Sequence, residues 1–461
     1  MKIGLLDASY KQENTLGLGM SWLRWELAQL GVEPASLATA DVVLASVQSQ
    51  QAVGDLAREL RRNNINPATR LVIIGGAGAY APAVFSHLCS GACVGEGRQF
   101  AQTLVRDGVD AAMGLPEVWR PGQTAQVVPN TAFPWDCPPI RYQDGTTRLW
   151  ASRGCRRKCL FCQTGWEQPY RQNPDMDAVY CTAQALHKRG ERPFFTSNDQ
   201  SELDWQRIPP VEHMSASVVG LRRLLSTPGI LRKARSIRVG VEGPSERLRA
   251  AVGKPIATGE LLDLTRAAMA QGITFRWFMI AGLPGEVDAD YDELKDAVLY
   301  IKRNCAKGVV MMHFHAFIPH PATPLCVLPL TDDYWGRFEE FRRWFFHGPG
   351  GTARVQIMPC AQPQGRMKRA CQSMAATSDQ VRRGWFEQDN PNWCIKGECD
   401  TERRRRLAQR YWNRVAARCD TDDQQCRHVG DNRRSVSSCE HTLKRPLPAR
   451  GNFGFQNAPR V

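Results

Sequence analysis

The sequence predicts an α/β protein, on three observations. Short apolar runs alternate with helical stretches over residues 1–130. A second series of strand-like runs begins near residue 146, and each ends in a polar or Gly/Pro-rich turn. Beyond residue 330 the pattern gives way to a basic, cysteine-rich stretch. Buried parallel strands separated by helices leave the first two patterns in a sequence. A chain of 461 residues has room for two or three such units.

In the first unit, residues 1–130, the strand candidates are Ile3–Leu6, Val42–Ser46 and Leu71–Ile74. Helices are expected between them, over Met20–Leu30 and Val53–Arg62. This alternation argues for a doubly wound, Rossmann-like sheet. Leu71–Ile74 runs into Gly75-Gly76-Ala77-Gly78, and a second turn, Val94-Gly95-Glu96-Gly97, precedes a helical stretch beginning near Arg98. Glycine at such places permits tight turns and close approach to a ligand. Residues 110–145, rich in Pro, Gly and Thr, read as a linker, with Cys137 a plain buried thiol.

The most informative segment is Ser152–Gln163. It places Cys155, Cys159 and Cys162 at the spacing Cys-x3-Cys-x2-Cys, with Phe161 just before the last cysteine. Three thiolates on one short loop can bind three irons of a [4Fe–4S] cluster. The fourth iron then has no protein ligand and is open for chemistry, as a catalytic metal's free position is. A structural zinc site wants four ligands, commonly in two separated pairs, and this loop offers three with no histidine nearby.

The loop resembles the signature of the radical S-adenosylmethionine (SAM) superfamily. There the fourth iron chelates SAM, and one electron cleaves it to a 5′-deoxyadenosyl radical. The resemblance implies a partial (β/α)6 barrel over residues 146–330, [4Fe–4S] and SAM as cofactors, and an electron donor such as flavodoxin or ferredoxin. It covers roughly residues 1–330.

Within that core, Thr147–Ser152 is the strand that delivers the cluster loop, and Pro193–Ser197 ends in Asn198-Asp199-Gln200. Ser236–Val241 leads into Glu242-Gly243-Pro244-Ser245, and Phe275–Ile280 ends in Ala281-Gly282-Leu283-Pro284-Gly285-Glu286. Val309–Phe317 then runs into Ile318–Pro324. Functional groups of parallel α/β folds gather at these strand ends. The turns at Glu242 and at Gly282–Glu286 resemble those of cobalamin-type and methylthiotransferase-type radical SAM enzymes. Cofactor contacts are thereby implied at Phe161, Asn198, Asp199, Glu242, Gly282, Pro284, Gly285 and Glu286. A capping turn at Asn198–Gln200 and a helix cap at Glu242 are the alternatives. His313 and His315, two residues apart, share one strand face that can line the barrel.

The two glycine turns ahead of the cysteine loop resemble the cobalamin-binding-type domain that precedes many radical SAM cores. Cobalt-coordinating members of that family carry Asp-x-His-x-x-Gly. Here no histidine precedes His87, which is followed by Leu88-Cys89-Ser90-Gly91. The fold is therefore expected without histidine-ligated cobalamin. Cobalamin is not the expected cofactor, and binding without a histidine stays open.

Residues 331–440 form a cysteine-rich basic region and 441–461 a flexible tail. The helix Tyr334–Phe346 spaces Trp335, Phe338, Phe341 and Phe345 for core packing. Seven cysteines follow, at 360, 371, 394, 399, 419, 426 and 439. Of these, Cys394, Cys399, Cys419 and Cys426 can supply four thiolates to a second cluster or to zinc.

The net charge is +14, and residues 401–461 hold fourteen Lys or Arg against six Asp or Glu, densest at Arg403–Arg406. A basic surface attracts polyanions, and Tyr411, Trp412, Phe453 and Phe455 suit base stacking. Nucleic acid is the expected partner, DNA before RNA; a solvated basic face is the plain alternative. No run approaches the ~18–20 apolar residues of a membrane span. Met1–Asp7 reads as a strand and not as a signal peptide. No membrane partner is expected, and the location is cytoplasmic, or host cytoplasm for a viral chain, with reduced thiols.

The overall layout is similar to bacteriophage enzymes of thymidine hypermodification. That likeness implies an isomerase converting N-linked glycyl-thymidine to the Cα-linked form. The rivals are a radical SAM methylase, with or without cobalamin, and a tRNA methylthiotransferase. The latter family normally has three ligating cysteines in its N-terminal domain, against Cys89 and Cys93 here. A non-catalytic Fe–S nucleic-acid-binding protein is the reading outside enzymes.

Overall fold

The computed structural model describes residues 1–358 and 401–416, except 9–15, 50–51, 81, 122–124, 126–132, 134, 143–144, 227–228, 230–232, 319, 321–322 and 328–335. The expectations for Trp335, Phe453, Phe455, the seven C-terminal cysteines and residues 441–461 fall outside the described residues.

The N-terminal sheet contains β1 (Ile3–Asp7), β2 (Val42–Ser46), β3 (Leu71–Gly75), β4 (Gly91–Cys93) and β5 (Val118–Trp119), in that order. All neighbours are parallel except β4 and β5. β2 is buried at every position, as a central strand covered on both faces must be. Helix α1 (Leu18–Gln29) packs Leu27 on one face, α2 (Val53–Arg62) packs Leu56 and Leu60 on the other, and α3 (Arg98–Arg106) joins α1 with Phe100 and Leu104. Both faces carry helices, while the strand order runs sequentially, without the reversal of a doubly wound sheet.

The stretch read as a linker is partly structured. It holds the short helix α4 (Val109–Met113), β5, the buried Cys137, and β6 (Ile140–Arg141), which pairs antiparallel with β7 (Thr146–Trp150). After β7, a small antiparallel pair, β8 (Ser152–Arg153) and β9 (Arg171–Gln172), brackets the cysteine loop and helix α5 (Gln163–Glu167). Helix α6 (Met176–Lys188) leads to β10 (Arg192–Thr196), parallel to β7.

A second, all-parallel sheet follows. Its strands are β11 (Val211–Ser217), β12 (Ala234–Glu242), β13 (Thr274–Ala281), β14 (Val309–Ala316) and β15 (Val355–Met358). Side chains span the gap between the sheets. Gln200 accepts the Ser215 N–H at 3.0 Å and Asp199 accepts the Ser217 N–H at 3.2 Å. Helices α7 (Val218–Ser226), α8 (Glu246–Ala251), α9 (Thr258–Ala270) and α10 (Asp288–Asn304) alternate with these strands. Phe275, Trp277 and Met279 of β13 and Val310, Met312 and Phe314 of β14 enter the helix-covered core. By the two-residue period of a strand, Arg276, Phe278, Met311 and His313 turn to the concave face.

Packing against the barrel continues past residue 330. Helix α11 (Gly336–His347) buries Phe338, Phe341 and Phe345 in the barrel core, and β15 adds a strand beside β14. Helix α12 (Thr401–Ala416) buries Ala408, Tyr411 and Val415 against Leu160, Leu248 and Leu325. Tyr411 is therefore core and not a base-stacking surface. Among the described residues no helix is long and apolar enough to cross a membrane.

Candidate active site

The cysteine loop leaves the carboxyl end of β7 and is held from several sides. Gly154 opens it at φ 68°, where a Cβ would strike the carbonyls of Gln168 and Pro169. Asn198 Nδ2 donates to the Gly154 carbonyl at 2.7 Å. The Leu160 N–H bonds the Val252 carbonyl at 3.1 Å, the Leu325 N–H bonds the Leu160 carbonyl at 3.2 Å, and Trp166 Nε1 donates to the Cys159 carbonyl at 2.9 Å. Residues distant in sequence thus fix the loop.

Cys159 is buried, and Cys155 and Cys162 are partly exposed. Burial pushes the Cys159 thiol up to about 12, against the pull of Lys254. Burial likewise raises Cys155, while the Arg157 N–H, 3.4 Å from its sulfur, lowers it. Such thiols stay protonated alone, and a bound iron would ionise them. Three soft sulfur donors on one anchored loop fit a [4Fe–4S] cluster. Among the described residues no three His, Cys, Asp or Glu converge as a single-ion site requires. Cluster thiolates each take a different iron and stand apart.

The neighbouring strand ends complete the site. Glu242, at the end of β12, has φ 73°, a strained conformation for a non-glycine residue, beside a register shift between Gly240 and Glu242. Its carboxylate pairs with Lys254 at 3.2 Å, and Lys254 also donates to the Gly240 carbonyl at 3.2 Å. Burial disfavours the Lys254 charge, but Glu242 and the nearby thiols outweigh it and raise the ammonium above its ordinary range.

The turn after β13 is drawn together from within. Glu286 accepts the Gly282 N–H, and Gly282 and Gly285 both have positive φ. Burial pushes the Glu286 carboxyl up to about 8. The Gly285 carbonyl accepts Arg247 at 3.0 Å and the Pro284 carbonyl accepts Tyr411 at 2.6 Å. Glu286 thus turns into its own loop.

Asp199 is also engaged internally. It caps a short 3-10 turn through the Ser201 N–H and stands 3.6 Å from Arg157. Burial opposes its ionisation, yet hydrogen bonds from Ser201 and Ser217 and the Arg157 charge hold the carboxyl below its ordinary range. The capping alternative describes Asp199, whereas Asn198 reaches the cluster loop. Phe161 packs with the apolar cluster around Leu248 and Phe317. Sequence reading missed Lys254, Arg157 and Tyr411 as site-building residues. Lys254 was visible as a lysine just after the Glu242 turn.

A cavity of about 520 Å³ separates the two α/β units. Its walls are the glycine turns after β3 and β4, the start of α1, and on the barrel side Ser152–Gly154, Phe194 and Thr196–Asn198. The wall is clipped shut at two places. Arg153 pairs with Glu96 at 2.6 Å, and Gln163 Nε2 donates to the Ala77 carbonyl at 2.6 Å. Cys93 lines the cavity, and among the described residues no histidine does.

Residues 151–298 match the radical SAM superfamily. The matched segment holds Cys155, Cys159 and Cys162, and SAM with a [4Fe–4S] cluster is the chemistry of that superfamily. No curated protein sequence matches this chain. The fold resembles that of the radical SAM methyltransferase TsrM from Kitasatospora setae, solved with cobalamin and a [4Fe–4S] cluster bound. The TM-score is 0.52 at 16% identity, over 84% of this chain and 100% of that one. A weaker likeness, TM-score 0.45 at 13% identity over 95% and 75% of the two chains, joins it to the cobalamin-dependent SAM radical enzyme OxsB. At these identities the likeness is one of fold.

Proposed function

We propose that the protein uses radical SAM chemistry to remodel a nucleobase substituent inside the barrel, with Cys155, Cys159 and Cys162 holding the cluster. When bound, cluster and SAM supply a primary carbon radical, made with one electron from a donor of flavodoxin or ferredoxin type. The chain's residues position and shield. Glu242 with Lys254, Asn198 and the Gly282–Gly285 backbone frame the cofactor's polar groups. The observation that carries a nucleobase substrate is the concave face just beneath. There the Phe278 ring stacks with His313 at 5.0 Å and His315 at 6.1 Å, an aromatic wall against which a base can pack.

Isomerisation of an N-linked glycyl-thymidine to the Cα-linked form is the reaction placed first. Hydrogen removal at the glycyl α-carbon leaves a radical flanked by a donor nitrogen and an acceptor carboxylate. The hydrogen returns after the link migrates, so substrate and product are equal in mass. DNA is the proposed carrier of the base. Its support is the net charge of +14 and the exposed Arg406, Arg410 and Arg414 of α12.

The interdomain cavity favours a second reading, methyl transfer with cobalamin. It lies within the size range of cofactor sites, its glycine turns admit a ligand close to the backbone, and Gln163 ties it to the cluster loop. A corrinoid seated there would receive no protein imidazole from the lining residues. The expected absence of cobalamin thus gains no support from the cavity.

Anaerobically reconstituted protein, with and without cobalamin, is incubated with SAM, reductant and DNA carrying the modified base, and the nucleosides are analysed by mass spectrometry. Altered retention at unchanged mass supports isomerisation. A gain of one methylene that requires cobalamin supports methyl transfer. Reaction of an equivalent RNA alone removes DNA from the proposal.

A further inference from the structure

We propose that Arg148, Arg238 and Arg276 form a site in the barrel lumen for an oxyanion, carboxylate or phosphate, carried by the substrate. Arg238 on β12 and Arg276 on β13 are register partners, so two guanidinium groups start from adjacent positions on the concave face. Like charges side by side across strands destabilise a sheet. Arg148 on β7 approaches from the other sheet. Its guanidinium lies 3.9 Å from the centroid of Phe194, a residue that lines the interdomain cavity. Burial first, then Arg276 and Arg148, holds Arg238 below its ordinary pKa.

Little among the described residues offsets the charge of Arg238 and Arg276. Among the described residues, neither Arg238 nor Arg276 forms an ion pair, and the Nε of each is buried without a hydrogen-bond partner. Glu212, the carboxylate whose charge reaches Arg238, pairs with Arg192 at 2.9 Å. A guanidinium cannot shed its proton, and a buried donor left unmade costs about 1–3 kcal/mol. His213 and His313 flank the layer, both lowered in pKa, by burial first and then by these arginines. They stand neutral at pH 7, and His313 Nε2 is also buried without a partner. Converging donors with unmet capacity and uncompensated positive charge describe an anion site with its counter-charge missing.

Position gives the substrate its shape. At about 3.3 Å per residue, the layer starts roughly 13 Å along β12 from Glu242, with the Phe278 stack between. A substrate seated there presents its reacting end at the strand ends and its anion below. The inference rests on the lumen being the substrate chamber. Its test needs no turnover, so a failure here leaves the radical chemistry standing.

The full-length protein is titrated at low ionic strength with inorganic phosphate and with succinate, chloride at equal ionic strength serving as control, and thermal unfolding is followed. One or both anions raise the wild-type midpoint saturably, and the preferred one says whether the substrate's anion is a phosphate or a carboxylate. Arg238→Gln and Arg276→Gln weaken that effect about tenfold or more. Without anion they unfold at or above the wild-type temperature, because a repelling charge is gone. Should they fail to fold, Arg276→Lys keeps the charge but loses the fork and must bind more weakly. Three results overturn the proposal: a wild type indifferent to both anions, equal responses in wild type and the substituted proteins, or glutamine variants less stable when no anion is present.

Discussion

The hydroxyl of Tyr411 donates to the carbonyl of Pro284 at 2.6 Å, joining α12 to the turn after β13 across 127 residues of sequence. Tyr411 is fully buried, and Arg247 reinforces the joint by donating to the Val415 carbonyl at 2.9 Å while holding Asp290. The basic C-terminal helix is thus part of the wall behind the Gly282–Glu286 turn.

Tyr411→Phe keeps the ring and strands the Pro284 carbonyl. A loss of about 1–3 kcal/mol is expected, read as a lower unfolding midpoint, together with weaker SAM binding by equilibrium dialysis. Truncation after residue 400 exposes Leu160, Leu248 and Leu325 and is expected to abolish SAM binding along with any DNA affinity. A truncated protein that binds SAM normally removes α12 from the site.

Glu286 titrates near 8 in the folded chain against an ordinary 4.5. The folded state then holds a proton that the unfolded chain has released. The stability this provides is complete below about 4.5 and declines as pH rises through about 8. Glu286→Gln still offers an oxygen to the Gly282 N–H but cannot titrate. Its unfolding midpoint, scanned across this interval, should vary less with pH than the wild type's; equal slopes would place the dependence elsewhere.

Glu242 is strained at φ 73° and paired with Lys254. Glu242→Gly relieves the backbone but strands the buried Lys254 ammonium, so a net loss of stability is expected. SAM affinity should fall with the carboxylate gone and Lys254 left unpaired. Unchanged affinity would shift the polar contact to Asn198.

Much of this was legible in sequence where burial leaves a simple pattern. β2 and α2 have the expected bounds, because an uninterrupted apolar run and a clear amphipathic helix each admit one reading. β11 escaped notice because its concave positions, His213 and Ser215, are polar and break the apolar run. α12 was hidden by four consecutive arginines that mask the spacing of Ala408, Tyr411 and Val415. The motif at Gly282–Glu286 located a turn but not the direction of its carboxylate. The arginine layer brings together residues from three strands, and only the barrel makes them neighbours.

The central claim is that one loop of three cysteines supports radical formation. Wild-type protein and the Cys155/Cys159/Cys162→Ala triple variant, reconstituted anaerobically with iron and sulfide, are given SAM and dithionite, and 5′-deoxyadenosine is quantified. The wild type is predicted to release it and the triple variant to release none, with the iron–sulfur absorbance lost as well. Comparable 5′-deoxyadenosine from both proteins would contradict the account.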